Sequence, residues 1–499
     1  MKVALVLCPE WAREMPHLAI GLLSACLRKE GHQVYVRDLN NDFYHACQER
    51  YKDKWRPEHD FFWSDRRAVA QFVSEHEQIV DRAVREILET GARMIGFSVY
   101  HPTELMTLEL AKRIKAIDPG RMVVLGGFQC MRQLKGKILI QDPAVDAVVT
   151  GEGEETLVEL AANLAQDGVV KSCPGVILKN PAGIVDGGDR APIAALDALP
   201  FPDFSDFSSA RYEKPDWLPM LFSRGCFQPC VYCTVNIFWR KYRAMSGKRM
   251  FQAIEWCRKT YPAVRELFMY DPLVNGDIRA LTQLCNSIIA GAATRSMPLI
   301  HWNAQAIIRP EMTRELLGKM KQAGCRHLAY GIESGSQAVL DKMRKRFSIA
   351  DAERVVRHTH EAGMEVSLNF MFGFPDETVE RFQETLDFLT RNHEYIDRVL
   401  PSESFCYIDN GTYLYEHPGE FSVTLSPDTS FWESMDGRNN FPERMRRFEV
   451  FCEHAEALGI EIGASREKVR LIKEEALGRY SQYRRRRSRT DAGEDRALI

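Results

Sequence analysis

Long apolar runs are missing from this sequence, since none approaches the roughly 20 residues that a membrane-spanning helix needs. Residues 1–7 have the pattern of a short strand and lack the charged start and long apolar core of a secretory signal peptide. An excess of one charge is also missing, because 66 Lys and Arg against 69 Asp and Glu leave a net charge of -3. Such a balance exerts no general attraction on nucleic acid or anionic membranes. We therefore expect a cytoplasmic protein with reduced thiols, no membrane partner and no nucleic-acid partner.

Two kinds of ligand-binding motif are absent as well. The loop after the first predicted strand, residues 9–14, contains no glycine, so the G-x-G-x-x-G motif of dinucleotide-binding domains is missing there. Apart from one group of three, the 13 cysteines are scattered along the chain, and no further C-x2-C or H-x3-H pair follows that group. A structural zinc site would need such a fourth ligand at recognisable spacing.

The group of three cysteines is the most informative motif that is present. Cys226, Cys230 and Cys233 are spaced C-x3-C-x2-C directly after the apolar run 218–222. Three thiolates this close together can hold three irons of a cubane cluster and leave the fourth iron open to another ligand. A zinc site and chance clustering are the alternatives. The missing fourth ligand favours the iron–sulfur cluster over zinc.

Residues 1–195 alternate between predicted strands and helices, which is typical of a doubly wound, Rossmann-like α/β domain with a parallel sheet. The five predicted strands are 3–7, 34–38, 94–99, 122–125 and 146–149. Ligands bind such sheets beyond the carboxyl ends of the strands. The candidate binding residues at those ends are Ser98, Gly126, Gly127, Gly151 and Glu152. Glycines let a bulky ligand approach the backbone, although each glycine could equally serve a tight turn.

Residues 196–410 begin with a proline-punctuated linker and continue with six apolar runs separated by helical patterns. The runs are 218–222, 266–270, 299–303, 327–331, 366–372 and 398–405. This alternation predicts a partial (β/α)6 barrel with its active site at the carboxyl ends of the strands. Arg243 follows the cysteine motif and is predicted to hold a carboxylate or the loop, with a solvated arginine as the alternative.

Residues 411–499 are predicted to form a mainly helical C-terminal capping region, with helices at 442–458 and about 465–480. The basic run at 479–489 is predicted to be part of a disordered tail. That run is the sole support for a third reading, in which the protein binds or modifies nucleic acid. The near-neutral net charge and the lack of a recognisable RNA-binding module argue against that reading.

The cysteine motif, with Tyr232 before its last cysteine, resembles the signature of the radical S-adenosylmethionine (SAM) enzymes. The segments 331–336 (GIESGS), 343–345 (MRK) and 373–378 (GFPDET) follow in the order expected of that superfamily. The first domain resembles the cobalamin-binding domain that precedes many of these enzymes. The matching segments there are 15–23, 31–38, 96–99, 125–127 and 150–154.

The resemblance implies three cofactors: a [4Fe-4S] cluster on the three cysteines, SAM, and cobalamin near the candidate residues of the first domain. It also implies that Glu333 holds the ribose or amino group of SAM and that Asn369 contacts its ribose or methionine end. Asp271 is implied to contact SAM or substrate. A capping or surface role is the alternative for Glu333 and Asn369, and a turn for Asp271.

The D-x-H-x-x-G motif of other cobalamin proteins is absent. The resemblance therefore implies cobalamin with its base detached and no histidine on cobalt, unless the domain has lost the cofactor. The expected function is a cobalamin-dependent radical SAM methyltransferase. It would methylate an unactivated carbon of a small molecule through methylcobalamin and a 5′-deoxyadenosyl radical. The alternative is a rearrangement, cyclisation or oxidation with the same cofactors. An external flavodoxin- or ferredoxin-type electron donor is expected in both cases.

Overall fold

The computed structural model describes residues 1–56, 59, 62–293, 299–402, 405–426, 428–463 and 466–491. The chain divides into two compact units. The first unit consists of Met1–Cys226 and Phe238–Trp302, and the second of Phe227–Ile237 and Asn303–Ile499. The domain boundaries predicted near residues 195 and 410 stay predictions. No helix in the part of the chain that the structure describes is both long and apolar enough to cross a membrane.

The first unit opens with a seven-stranded sheet flanked by helices. Its elements are β1 (Lys2–Leu7), α1 (Leu18–Lys29), β2 (Gln33–Asp38), α2 (Leu39–Ala46), α3 (Glu49–Lys52), α4 (Arg66–Glu75), α5 (Glu77–Glu89), β3 (Met94–Ser98), α6 (Glu104–Ile117), β4 (Met122–Gly126), α7 (Gly136–Leu139), β5 (Ala147–Val149), α8 (Gly153–Asp167), β6 (Val176–Asn180) and β7 (Gly183–Asp186).

The strand order of this sheet is β2-β1-β3-β4-β5-β6-β7. The first five strands are parallel, as predicted, whereas β6 and β7 add an antiparallel edge that the sequence pattern did not predict. Strand β3 is buried along its whole length, because helices cover both faces of a parallel sheet. Strand β2 lies on one side of β1 and strand β3 on the other, so the strand order reverses there and places a topological switch point at the carboxyl ends of β1 and β3.

The rest of the first unit carries the segments before and after the cysteine motif. Its elements are β8 (Trp217–Met220), β9 (Ser223–Arg224), α9 (Val235–Trp239), β10 (Arg243–Ala244), α10 (Gly247–Thr260), β11 (Glu266–Met269) and α11 (Ile278–Ala293). Strands β8 and β11 pair in parallel, and the short strands β9 and β10 pair antiparallel. Helix α9 and strand β12 (His301–Ala306) each cross the division between the two units.

The second unit contains parallel strands connected by helices. Its elements are α12 (Arg314–Gln322), β13 (Cys325–Glu333), α13 (Gln337–Met343), α14 (Ile349–Glu361), β14 (Glu365–Phe370), α15 (Val379–Asn392), β15 (Arg398–Pro401), α16 (Tyr413–Glu416), β16 (Val423–Thr424), β17 (Glu433–Ser434), α17 (Phe441–Ala457), β18 (Glu461–Ile462) and α18 (Arg466–Asp491). Strands β13, β14, β15 and β18 are consecutive parallel neighbours. Strand β18 was not predicted, because two residues are too short to show a period.

The C-terminal region is mainly helical, as expected. Helix α17 begins after Asn440, whose side chain accepts a hydrogen bond from the Glu443 amide. The predicted disorder of the basic run is wrong up to Asp491, because α18 continues through it. Arginine and lysine are good helix formers, so their charge does not prevent a helix here. Residues 492–499 of the predicted tail lie outside the described residues.

Candidate functional site

A cavity of about 290 Å³ lies in the first unit at the carboxyl ends of its parallel strands. Its lining combines glycines, aliphatic side chains and aromatic rings. All five residues that the sequence assigned to a cofactor in this domain belong to that lining: Ser98, Gly126, Gly127, Gly151 and Glu152. Tyr100, Phe128, Phe238 and Trp239 supply the aromatic rings. The sequence did not single out these four rings.

The glycines at the strand ends leave room that other residues would fill. Gly127 has a φ of 108°, and a Cβ there would lie 2.8 Å from the carbonyl oxygen of Val99. Any larger residue at position 127 would therefore strain the backbone. The backbone at Gly151 also has a positive φ, and there is open space beside it. An apolar cavity with a glycine-rich wall at the switch point fits the base and nucleotide part of cobalamin.

Glu152 lines the cavity, but its carboxylate is bound to arginines of the same unit. The Glu152 Oε2 atom lies 2.9 Å from Nη1 of Arg224, and its Oε1 atom lies 2.5 Å from Nη2 of Arg243. Arg224 also pairs with Glu154, the other carboxylate of the cavity lining. Burial lowers the pKa of Arg224, but Glu154 and Glu152 outweigh burial and raise it above its usual value. Glu152 therefore supports the cavity wall, and its contact with a cofactor stays a prediction.

The antiparallel pair of β9 and β10 joins the two ends of residues 225–242. We call these residues the excursion, and they carry the three cysteines of the motif. Arg224 stands opposite Arg243 in this antiparallel pair. Arg243 also donates to the carbonyl oxygens of Ile193 and Trp239. The sequence-based alternatives for Arg243 were a carboxylate, the loop or solvent, and the structure shows contacts with both a carboxylate and the loop.

Asp271 is buried two residues beyond the end of β11. Its carboxylate accepts hydrogen bonds from the Phe222 amide at 3.2 Å and from the Ser223 hydroxyl at 2.6 Å. Phe222 lies between β8 and β9 and Ser223 begins β9, so Asp271 positions the chain that leads into the cysteine motif. Its predicted contact with SAM or substrate stays a prediction.

The Asp271 carboxyl is expected to make the stability of the protein depend on pH. Burial raises its pKa to about 6, although the bonds from Ser223 and Phe222 oppose this shift. Between about pH 4 and pH 6 the folded state keeps a proton that the unfolded chain has released, so this contribution to stability falls as the pH rises through that window. We expect the contribution to change by about 3 kcal/mol. Urea unfolding of the wild type and Asp271→Asn at several pH values measures it, and parallel pH profiles would contradict the prediction.

The second unit holds a charged cluster beside Cys230. The Lys345 ammonium donates to Glu333 Oε1 at 3.0 Å and to the Gly331 carbonyl at 2.8 Å. Burial lowers the pKa of Lys345, but Glu333 and Cys230 raise it above the ordinary value, so the ammonium stays charged. Burial raises the pKa of the Cys230 thiol, and the Lys345 charge opposes that rise. A nearby cation favours the thiolate that an iron ligand must supply.

Tyr232 and Asn369 lie in the same unit. The ring of Tyr232 is 6.3 Å from the ring of Phe374 and 5.9 Å from the Lys345 nitrogen. Burial and the charge of Glu333 raise the pKa of Tyr232 well above its ordinary value. Asn369 is paired with Gly331 across β14 and β13, near the carboxyl ends of both strands. Neighbouring parallel strands thus present Glu333 and Asn369 at one edge.

The loop 373–378 is held by residues that the sequence analysis did not identify. Glu377 accepts from the Gly373 amide at 2.6 Å and from Arg447 Nη1 at 2.7 Å. The side-chain amide of Asn439 donates to the Gly373 carbonyl at 2.9 Å. Arg447 belongs to α17 and Asn439 precedes it, so the C-terminal region fixes this loop from 65 or more residues away. No local signal in the sequence links them.

Removal of the Lys345 charge is expected to weaken SAM binding by about tenfold, since residues that orient a binding group typically contribute 10- to 100-fold. The variant is Lys345→Met, which leaves the Glu333 carboxylate without its cation. Lys342→Met is the matched control, because Lys342 forms a half-exposed pair with Asp376 on the same segment. Equilibrium dialysis with SAM measures both. Equal affinities for the two variants would contradict a role of Lys345 at the site.

The three cysteines of the motif are more exposed to solvent than the other ten cysteines. Those ten are buried, whereas Cys226, Cys230 and Cys233 are half-buried. Cys226 is the last residue of Met1–Cys226 in the first unit, whereas Cys230 and Cys233 lie in Phe227–Ile237 of the second unit. Among the described residues, no three His, Cys, Asp or Glu side chains are grouped to hold a single metal ion. Accessible thiols in one short motif, one of them near a cation, fit the donor set of an iron–sulfur cluster.

Comparison with known protein families agrees with this arrangement. Residues 220–389 match the model of the radical SAM superfamily, and residues 69–161 match the model of the B12 binding domain. The chain therefore contains a B12-binding domain followed by a radical SAM domain, as the sequence resemblance implied.

Two curated relatives illustrate the range of activities among similar proteins. An uncharacterised methyltransferase of Pyrococcus horikoshii is 27% identical over 284 residues, which are 56% of this chain and 60% of that protein. An anaerobic magnesium-protoporphyrin IX monomethyl ester cyclase of Cereibacter sphaeroides is 24% identical over 338 residues, or 64% of this chain and 52% of the relative. The chain thus spans about half to three fifths of the length of these relatives.

The solved structure of the radical SAM methyltransferase TsrM from Kitasatospora setae, with cobalamin and a [4Fe-4S] cluster bound, has the same fold. The TM-score is 0.66 at 16% identity, with 90% of each chain covered. Another structure of TsrM holds tryptophan as substrate and a SAM analogue, with a TM-score of 0.60 at 19% identity over 80% of this chain and 72% of TsrM. Together with the two family models, this likeness confirms the predicted α/β fold class: an N-terminal B12-binding domain, a partial radical SAM barrel and a helical C-terminal region.

Proposed function

We propose that this protein is a cobalamin-dependent radical SAM methyltransferase that acts on an unactivated carbon of a small molecule. One observation carries the proposal: a single chain combines a glycine-walled cavity at the switch point of a B12-binding domain with the cysteine motif of a radical SAM domain. A cobalamin-dependent radical methyltransferase uses both, because one domain positions a methyl donor and the other generates a radical.

The residues of the two units have separate tasks in this proposal. Cys226, Cys230 and Cys233 hold the cluster, and Glu333 and Asn369 hold SAM. Lys345 keeps Glu333 oriented through the 3.0 Å bond between them. When bound, the cluster and SAM supply a 5′-deoxyadenosyl radical, and cobalamin supplies the methyl group. Ser98, Gly126, Gly127 and Gly151 line the cobalamin cavity, and the chain offers no D-x-H-x-x-G histidine to cobalt.

The small-molecule class of the substrate is supported by TsrM, whose recorded substrate is tryptophan. An external one-electron donor of the flavodoxin or ferredoxin type belongs to the proposal, because cluster reduction needs an electron from outside the chain. A second candidate function, cyclisation with the same cofactors, is favoured by the cyclase among the relatives.

Counting the products of SAM separates the two candidates. The chain is reconstituted anaerobically with iron, sulfide and hydroxocobalamin and is then supplied with SAM, a reductant and candidate substrates. Methyl transfer yields S-adenosylhomocysteine together with 5′-deoxyadenosine, whereas cyclisation yields 5′-deoxyadenosine alone. A reconstituted protein that retains no cobalamin would overturn the proposal for both candidates.

A further inference from the structure

The cysteine motif lies on an excursion whose two ends are held together in the first unit. The excursion leaves at β9 and returns at β10, and these strands pair through Ser223 with Ala244 and Arg224 with Arg243. Gly225 has a φ of 77°, and a Cβ there would lie 2.4 Å from the carbonyl oxygen of Lys241. The two ends are therefore in backbone contact immediately outside the cysteines.

The same base of the excursion is attached to the wall of the cavity. Two arginines directly opposite each other would repel, and such like-charged cross-strand pairs destabilise a sheet. Glu152 neutralises both of them, and Glu154 adds a second carboxylate to Arg224. Both carboxylates line the cavity, and the Arg224 side chain is 2% exposed. Neutralisation of Arg224 and Arg243 therefore depends on the position of the cavity wall that carries Glu152 and Glu154.

The C-terminal side of the motif reaches the cavity through aromatic rings. Helix α9 begins at Val235, two residues after Cys233, and ends at Trp239. Its last two residues, Phe238 and Trp239, line the cavity. The ring of Phe238 is 5.8 Å from that of Phe128, which also lines the cavity, and the Arg224 guanidinium is 5.0 Å from the ring of Trp239. The C-terminal flank of the segment 227–237 therefore belongs to the cavity wall, and Arg224 on its N-terminal flank is attached to that wall through Glu152 and Glu154.

We propose that a ligand in this cavity orders residues 227–237, which carry Cys230 and Cys233. In terms of the proposed function, on which this inference rests, the ligand is cobalamin, and its flat aromatic base packs against Phe238 and Trp239. Contacts with an aromatic group of this size change the population of an open segment by about tenfold. Residues 227–237 then open about tenfold less often when the methyl donor is in place. This limits consumption of SAM by a protein that carries no cobalamin.

Hydrogen exchange of the full chain tests the inference, with hydroxocobalamin as the probe. The protein is reconstituted anaerobically with its cluster, and amide exchange of residues 227–237 is followed with and without the probe. Loss of iron to a chelator is followed in parallel. In the wild type we expect about tenfold slower exchange and slower iron loss when the probe is bound. In the double variant Phe238→Ala and Trp239→Ala, bound cobalamin is measured by absorbance, and protein that holds the probe is expected to lack this response.

Trp256→Ala is the matched control, because Trp256 is a half-buried tryptophan of α10 that contacts Phe201 outside the cavity. It is expected to keep the response to the probe. If absorbance shows bound cobalamin while exchange in 227–237 is unchanged, the inference is overturned and the proposed function stands. Loss of the response in Trp256→Ala would also overturn it, since the effect would then be general. A wild type that binds no cobalamin overturns both proposals.

Discussion

Replacement of Cys226, Cys230 or Cys233 by alanine is expected to abolish the brown iron–sulfur absorbance of the reconstituted protein and all cleavage of SAM. Two thiolates cannot hold three irons of a cubane cluster, so each single change removes the whole site. Anaerobic reconstitution, iron and sulfide analysis and chromatographic detection of 5′-deoxyadenosine measure the loss.

Cys26→Ala is the control for this series. Cys26 is buried in α1, and burial raises the pKa of its thiol to about 12, so it stays protonated and is a poor metal ligand. This variant is expected to keep its absorbance and its SAM cleavage. If an alanine variant of the motif retained the full iron content and wild-type SAM cleavage, the residue replaced would not be a ligand.

Replacement of Arg224 by alanine is expected to destabilise the first unit by about 3–5 kcal/mol, the usual effect of removing one partner from a buried ion pair. The change leaves Glu154 buried without a cation and leaves Glu152 with Arg243 alone. Urea unfolding of the full chain measures the effect. Arg28→Ala is the control, because Arg28 pairs with Asp203 and Asp206 at 28% exposure, and such partly exposed pairs contribute about 1 kcal/mol or less.

The combined change Arg224→Met with Glu154→Met separates charge from packing. Replacing both members of a buried pair by apolar residues is often close to neutral. Since Glu152 keeps Arg243, the double variant is expected to recover much of the stability that Arg224→Ala loses. If the double variant unfolds as readily as the single one, packing of the Arg224 side chain against Trp239 is the larger contribution.

The sequence was most informative about features that depend on residues close together in the chain. The cysteine spacing, the glycines after β4 and β5 and the alternation of strands with helices follow from residues close together in the chain. The candidates Ser98, Gly126, Gly127 and Gly151 were found in one cavity because carboxyl ends of parallel strands meet at one edge. Disorder was wrongly predicted for the basic run of α18, since charge was weighted above helix propensity.

The partners of the charged residues could not be predicted in the same way. Arg224 binds Glu152 from 72 residues away, and Arg447 binds Glu377 from 70 residues away. The sequence around Glu152 does not show whether its carboxylate contacts a cofactor or an arginine. The contact of Asp271 with SAM or substrate stays a prediction, and only the structure shows that its carboxylate holds Phe222 and Ser223.

The amino-acid sequence by itself thus determined the two α/β domains, their order and the cysteine motif, because hydrophobic periodicity and motif spacing are local properties. The tertiary structure decided which charges neutralise one another and which rings line the cavity. These contacts join residues that are distant in the chain, and only the folded topology brings them within hydrogen-bonding distance. The attachment of the cysteine excursion to the cavity wall through Arg224, Arg243, Phe238 and Trp239 is therefore a property of the fold.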